Sequence, residues 1–199
     1  MQLIKEKLYT MNKIEAESFE FTKGKTYAII SVFTPDAENG NRNKANFIIP
    51  EDQKENINIL YSGFHDALES ETAYDLEKRD YITLYPLSED ESLAIALFIK
   101  LNYDIVDYFV VHCEMGVSRS AGIVRAILKW KYGRNKIFQS PNGYIQELYE
   151  EEFYKNKMYK YNSHVYKSVL ESLRNLSDYK NHPNLAINTF LENKNRYGD

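Results

Sequence analysis

Short apolar runs, each closed off by a turn or by charge, set the tightest limit on how this chain can fold. Thr26 to Phe33 reads TYAIISVF and stops at Thr34-Pro35-Asp36; Ile57 to Phe64 reads INILYSGF and runs straight into His65-Asp66; Tyr108 to Val111 reads YFVV between charged residues. Runs this short and this rich in β-branched and aromatic side chains suit strands buried on both faces, as in a parallel sheet. Between and after them the apolar spacing turns helical. Leu93, Ala94, Leu97, Phe98 and Leu101 follow Ser88-Glu89-Asp90-Glu91, whose S-x-x-E spacing is a capping box with acids where a helix N-terminus favours them. Ser118 to Tyr132 predicts a second helix, with Ile123, Ile127 and Trp130 on one face and Gly133 as its stop. Ser140-Pro141-Asn142-Gly143 marks a break, with a helix expected from about Tyr144. A further helix capped by Ser163 carries Tyr166, Val169, Leu170, Leu173 and Leu176 as its stripe. Asp36 to Ala45 reads as a polar loop, and residues 67 to 82 follow no clear period. Strands alternating with helices predict an α/β fold: a central, mostly parallel sheet flanked by helices.

The chain has 199 residues, enough for one substantial core. Residues 1–176 are expected to form a single domain, and 177–199 a polar tail or extra helix. A net charge of −4 argues against broad nucleic-acid binding, which calls for surplus Lys and Arg. One cysteine allows no internal disulfide. The first residues show neither a signal peptide nor a membrane span, so a cytoplasmic protein that does not engage membranes is expected, in a compartment that keeps a lone thiol reduced. No cofactor or metal is expected: His65, His112, His164 and His182 do not fall at ligand spacing.

The chemistry concentrates in Val110-Val111-His112-Cys113-Glu114-Met115-Gly116-Val117-Ser118-Arg119-Ser120-Ala121-Gly122. The only cysteine ends a predicted strand, and an arginine six positions on opens a predicted helix. A loop in that place can turn its backbone N–H groups inward with the helix dipole behind them, a ready anion site built from Glu114, Met115, Gly116, Val117 and Ser118. Gly116 lets the loop curl. Arg119 adds a planar fork for two phosphate oxygens. Positive surroundings of this kind lower a thiol pKa, so Cys113 is expected as a thiolate able to attack phosphorus. Ser120 is placed to donate to the sulfur. His112 is expected to hold the loop by hydrogen bonds, since a thiolate needs no base. The plain alternative is an inert buried thiol at a strand end.

His112, Cys113, Gly116, Arg119 and Ser120 together resemble the H-C-x5-R-S/T signature of the cysteine-dependent protein tyrosine and dual-specificity phosphatases. The resemblance extends more weakly over residues 14 to 150, through ISVFTP, NILYSGFHD, the helix before the loop and PNGYIQELYEEEF. It implies that family's sheet flanked by helices, with the catalytic loop at a strand's C-terminal end. It also implies hydrolysis through a cysteinyl-phosphate intermediate, and a general acid supplied by an aspartate from a separate upstream loop.

Asp66 is the candidate acid, because it follows a predicted strand and sits where the family's aspartate would. Residues 67 to 86 then read as an insertion relative to compact members. Asp80, Glu89, Asp90 and Glu91 are rivals, although the capping box accounts for the last three. Lysines often occupy the variable loop positions of relatives that act on inositol lipids; here those positions hold none. That favours phosphorylated protein side chains, tyrosine or both classes, as substrate. An RNA 5′-triphosphate or inositol phosphate substrate stays open, as does a phosphate-binding module without turnover. A rhodanese-like sulfurtransferase or an arsenate reductase fits less well, given the Arg119-Ser120 ending and the lone thiol. Tyr61, Tyr74, Tyr81 and Tyr85 could line a pocket, but core packing is the expectation for each.

Overall fold

In a computed structural model, residues 7–36, 40–42, 44–75, 79–133, 137–139, 146–148 and 161–176 are described. Four strands run parallel in the order β1 (Leu8–Met11), β7 (Tyr108–His112), β2 (Tyr27–Asp36), β4 (Ile57–Gly63). The far end of β2 also pairs antiparallel with β3 (Gly40–Arg42), inside the stretch expected to be loop. The register sets Met11 and Ser31 beside His112, and Phe33 beside Gly63. All four parallel strands therefore end at one edge, where open α/β sheets place their ligands.

Side chains alternate across this sheet, as a pleated strand requires. Ala28, Ile30 and Val32 of β2, with Phe109 and Val111 of β7, face helices α2 (Glu89–Asn102), α3 (Arg119–Tyr132) and α4 (Ser163–Asn175) in the larger core. Tyr27, Ile29 and Val110 point the other way, onto Met11, Ala16 and Phe47. That second face is covered by the short helix α1 (Lys13–Glu17) and an aromatic cluster. Phe19, Phe21 and Tyr27 meet edge to face, with ring centroids 5.1 to 5.8 Å apart. The fold is the expected α/β arrangement, a central parallel sheet flanked by helices.

Local signals hold at the two helices nearest the site. Ser88 and Glu91 close the capping box of α2, and Gly133 ends α3 in the left-handed region at φ 62°. Ala94 to Ile99 of α2 are all buried, because the helix lies between the sheet and α4, so its core contacts are not one narrow stripe; Leu101 is exposed. Helix α4 is capped by Asn162 and not by Ser163: the Asn162 Oδ1 accepts from Val165 N–H at 3.0 Å.

Elsewhere the structure differs from the expectation. Residues 67 to 86 contain an antiparallel hairpin, β5 (Glu71–Asp75) and β6 (Asp80–Leu84), forming its own two-stranded sheet. Its side chains are exposed or half-buried, so no apolar face patterns the sequence. Tyr74, Tyr81 and Tyr85 are exposed, Tyr81 by 71%, and Tyr61 is half-buried; none of these four packs in the core. Within the stretch where a helix is expected from about Tyr144, Gln146–Leu148 (β9) is a short strand that pairs antiparallel with Ile137–Gln139 (β8), and the rest of that stretch up to residue 160 lies outside the described residues. The Ser140-Pro141-Asn142-Gly143 break and residues 177–199 lie outside the described residues. So does most of the PNGYIQELYEEEF stretch.

Candidate active site

The loop joining β7 to α3 begins at the sheet edge with Cys113, which is 2% exposed. It is held from beneath and from behind. Beneath it lies the N-terminal segment: Lys13 N–H donates to Glu114 O at 3.1 Å, and a Cβ on Gly116 would sit 2.8 Å from Asn12 N and Met11 C. Gly116 also has φ +72°, so both the backbone angle and the close approach demand glycine. Behind it, His112 is fully buried and its Nε2 is 2.7 Å from Ser31 Oγ on β2. Its Nδ1 lies against the Cys113 backbone without hydrogen-bond geometry. Burial, reinforced by the Arg119 charge and opposed by the Cys113 backbone, holds the His112 pKa down at about 4, so the ring is neutral at neutral pH.

Ser120, in the first turn of α3, places Oγ 3.2 Å from Cys113 Sγ, and Thr10 Oγ1 donates to that same oxygen at 3.0 Å. Arg119 is 4% exposed, and a buried cation must be paired or hydrogen-bonded. Its Nη1 donates to Phe64 O at 2.7 Å, and to Phe33 O and Thr34 Oγ1 at 3.2 Å each. The ends of β2 and β4 thus fix the guanidinium plane. Its Nη2 faces the partly exposed Glu114 carboxylate at 3.8 Å. Ser118, at the N-cap position of α3, makes no side-chain cap, so no side chain there consumes the first-turn N–H groups.

Asp66 stands at the other rim of the loop. Its Oδ1 accepts from Ser118 Oγ and from Asn162 Nδ2, each at 2.8 Å, and no described residue hydrogen-bonds its Oδ2. Asn162 also donates to Ala67 O at 3.2 Å. Gly122 of α3 lets the Asn162 carbonyl approach, since a Cβ there would lie 2.9 Å from it. Next to Asp66, His65 and Tyr85 close the base of the hairpin: His65 N–H donates to Tyr85 O at 2.9 Å, and Tyr85 N–H donates to His65 Nδ1 at 3.1 Å. Burial lowers the His65 pKa, and Arg119 adds to the effect.

The structure thus brings Cys113, Arg119, Ser120 and the loop residues 114 to 118 to one sheet edge, with Asp66 bonded to Ser118. Among the rival acids, Glu91 is engaged by the Ser88 capping box, and Asp80 lies at the far end of the hairpin, paired with Asp75. Met115 points outward, 70% exposed. Two residues absent from the sequence reading, Thr10 and Asn162, touch the site. Asn162 had a signal, an Asn directly before a helical stripe; Thr10 had none beyond being a hydroxyl in an apolar strand. Among the described residues no three of His, Cys, Asp and Glu gather as a metal site, and no helix is long and apolar enough to cross a membrane.

No family model matches the chain, and comparison with the curated proteins finds no match. Among solved structures, a crystal structure of a human tyrosine phosphatase-like serine/threonine/tyrosine-interacting protein is similar at 17% identity and a TM-score of 0.46. The match covers 89% of this chain and 95% of that one. A likeness at that level says nothing about chemistry, which the side chains have to supply.

Proposed function

We propose that the chain is a cysteine-dependent phosphatase of phosphorylated protein side chains, phosphotyrosine first among them. The observation that carries this reading is the Asp66–Ser118 hydrogen bond of 2.8 Å, which sets a carboxyl on the rim of the loop that begins with Cys113 and ends with Arg119. Nucleophile, phosphate fork and proton donor then serve one substrate.

The loop amides and Arg119 receive the phosphoryl oxygens, and substrate displaces Glu114 from its 3.8 Å contact with Nη2. The Cys113 thiolate attacks phosphorus and the P–O bond to the side-chain oxygen breaks. Asp66, anchored through Oδ1, gives that oxygen a proton from Oδ2. Asp66 then takes a proton from water, whose oxygen attacks the thiophosphate. The S–P bond breaks, the electron pair returns to sulfur, and inorganic phosphate leaves. Ser120 donates to the departing thiolate from 3.2 Å. His112, neutral and tied to Ser31, holds the loop. None of Glu114, Met115, Val117 and Ser118 is basic, which favours singly phosphorylated groups over polyanions.

Cys113→Ser is expected to abolish hydrolysis of a phosphotyrosyl peptide while retaining its binding by calorimetry. Undiminished turnover in that variant would end the proposal. Binding without turnover in the wild type would identify a phosphate-binding module. Turnover of an RNA 5′-triphosphate or an inositol phosphate, with none of the peptide, would move the substrate class.

A further inference from the structure

Beyond the residues that meet substrate, the sulfur sits at the end of a short line of buried hydroxyls. Ser120 Oγ is 3.2 Å from Cys113 Sγ, and Thr10 Oγ1 lies 3.0 Å beyond Ser120 Oγ. Ser120 is fully buried and Thr10 nearly so, which excludes water as a substitute partner. With Cys113 the thiolate of the proposed reaction, a proton count gives the direction. A thiolate only accepts, so the one Ser120 hydroxyl proton points at sulfur. The Ser120 oxygen is then left with its lone pairs, and the Thr10 hydroxyl is the donor that faces it. The same Thr10 hydroxyl has a second acceptor in Gly116 O, but at 3.4 Å against 3.0 Å to Ser120 Oγ, so the shorter bond is the one to Ser120. Thr10 belongs to β1, which pairs with β7 so that Thr10 stands beside Val111. The relay therefore links two neighbouring strands to the first turn of α3.

We infer that Thr10 is a positioning residue for the second half-reaction, orienting and polarising Ser120 so that its proton meets the sulfur as the S–P bond breaks. This rests on the phosphatase reading above. Donors in series strengthen one another where water is excluded. In the thiophosphate the sulfur is bonded to phosphorus and carries little charge, so the relay matters least there. On cleavage the electron pair returns to sulfur, and the Ser120 hydrogen bond becomes one to an anion. Loss of Thr10 should slow intermediate breakdown and leave its formation nearly unchanged, because a less stabilised thiolate is also a stronger nucleophile.

The test is stopped-flow hydrolysis of p-nitrophenyl phosphate by the full chain, comparing wild type, Thr10→Val and Thr10→Ser. Valine matches threonine in shape and β-branching. For Thr10→Val the breakdown rate should fall about five-fold, the scale of one hydrogen bond, with a burst of nitrophenol appearing and kcat/KM held within about two-fold. Thr10→Ser should recover the breakdown rate. In a Ser120→Ala background, Thr10→Val should change nothing further. An unchanged breakdown rate in Thr10→Val, or an equal fall in kcat and kcat/KM, would overturn the inference. So would a full valine effect without the Ser120 hydroxyl. A wild type with no turnover overturns the phosphatase reading instead. The relay is then read from Cys113 alkylation by iodoacetamide against pH: the profile should shift in Thr10→Val and return in Thr10→Ser, and identical profiles would refute it. Should Thr10→Val not fold, Thr10→Ala is put through the same comparisons with the same deciding outcomes.

Discussion

At the scale of single residues, the site depends on fit as much as on charge. Gly116 is the sharpest case. Any side chain there meets the backbone of Met11 and Asn12 at 2.8 Å, and φ +72° is strained for every other residue. Gly116→Ala is expected to cost roughly 2 kcal/mol or more of stability, and to lower activity further by lifting the loop off its bed. Urea unfolding with parallel turnover assays measures both; a variant as stable and as active as wild type would show that the loop tolerates displacement. The spacing of Cys113, Gly116, Arg119 and Ser120 is readable in the sequence because one loop imposes it. Thr10 reaches Ser120 across 110 positions, and Asn162 reaches Asp66 across 96; contacts between elements leave no local period to read.

At the scale of elements, legibility follows burial. Strands β2, β4 and β7 are apolar because they are covered, and each shows in the sequence. Strand β1 has only four residues, interrupted by Thr10, and it does not stand out. The hairpin β5–β6 is likewise hidden, since it buries no face. Its base, clamped by His65 and Tyr85, follows directly on the Asp66 turn, and Asn162 ties the same turn to the cap of α4. The proposed acid is thus mounted on two elements rather than on a loose loop. Asp66→Asn should accordingly slow phosphotyrosyl peptide, a poor leaving group, far more than an activated aryl phosphate, by about 100-fold against a few-fold. Equal losses on both substrates would remove Asp66 from the role of acid.

At the scale of the molecule, the parallel sheet gathers four strand ends into one edge, and every proposed catalytic group stands there. The same sheet buries His112 as a neutral ring, with a consequence for stability. Its folded pKa of about 4 lies below the ordinary 6.5, so the unfolded chain takes up the proton first. Its contribution is complete above pH 6.5 and declines as pH falls towards 4, by roughly 3 kcal/mol in all. The lowered pKa of His65 adds a loss with the same sign. Asp107 acts lower down: hydrogen bonds from Thr26 and Lys25 hold its carboxyl at about 2 against 3.8, so its contribution fades only as pH falls from 3.8 through 2. Urea midpoints between pH 7 and pH 4 should fall steeply in wild type and less in His112→Gln; parallel curves would contradict the assignment.

The proposed reaction is covalent: phosphate passes through Cys113. The direct measurement is rapid acid quench of enzyme mixed with phosphotyrosyl peptide, followed by peptide mass analysis. One phosphoryl group is expected on the peptide containing Cys113, accumulating in Asp66→Asn on an aryl phosphate and absent from Cys113→Ser. Steady turnover with no phosphoryl group on that peptide at any quench time would contradict it.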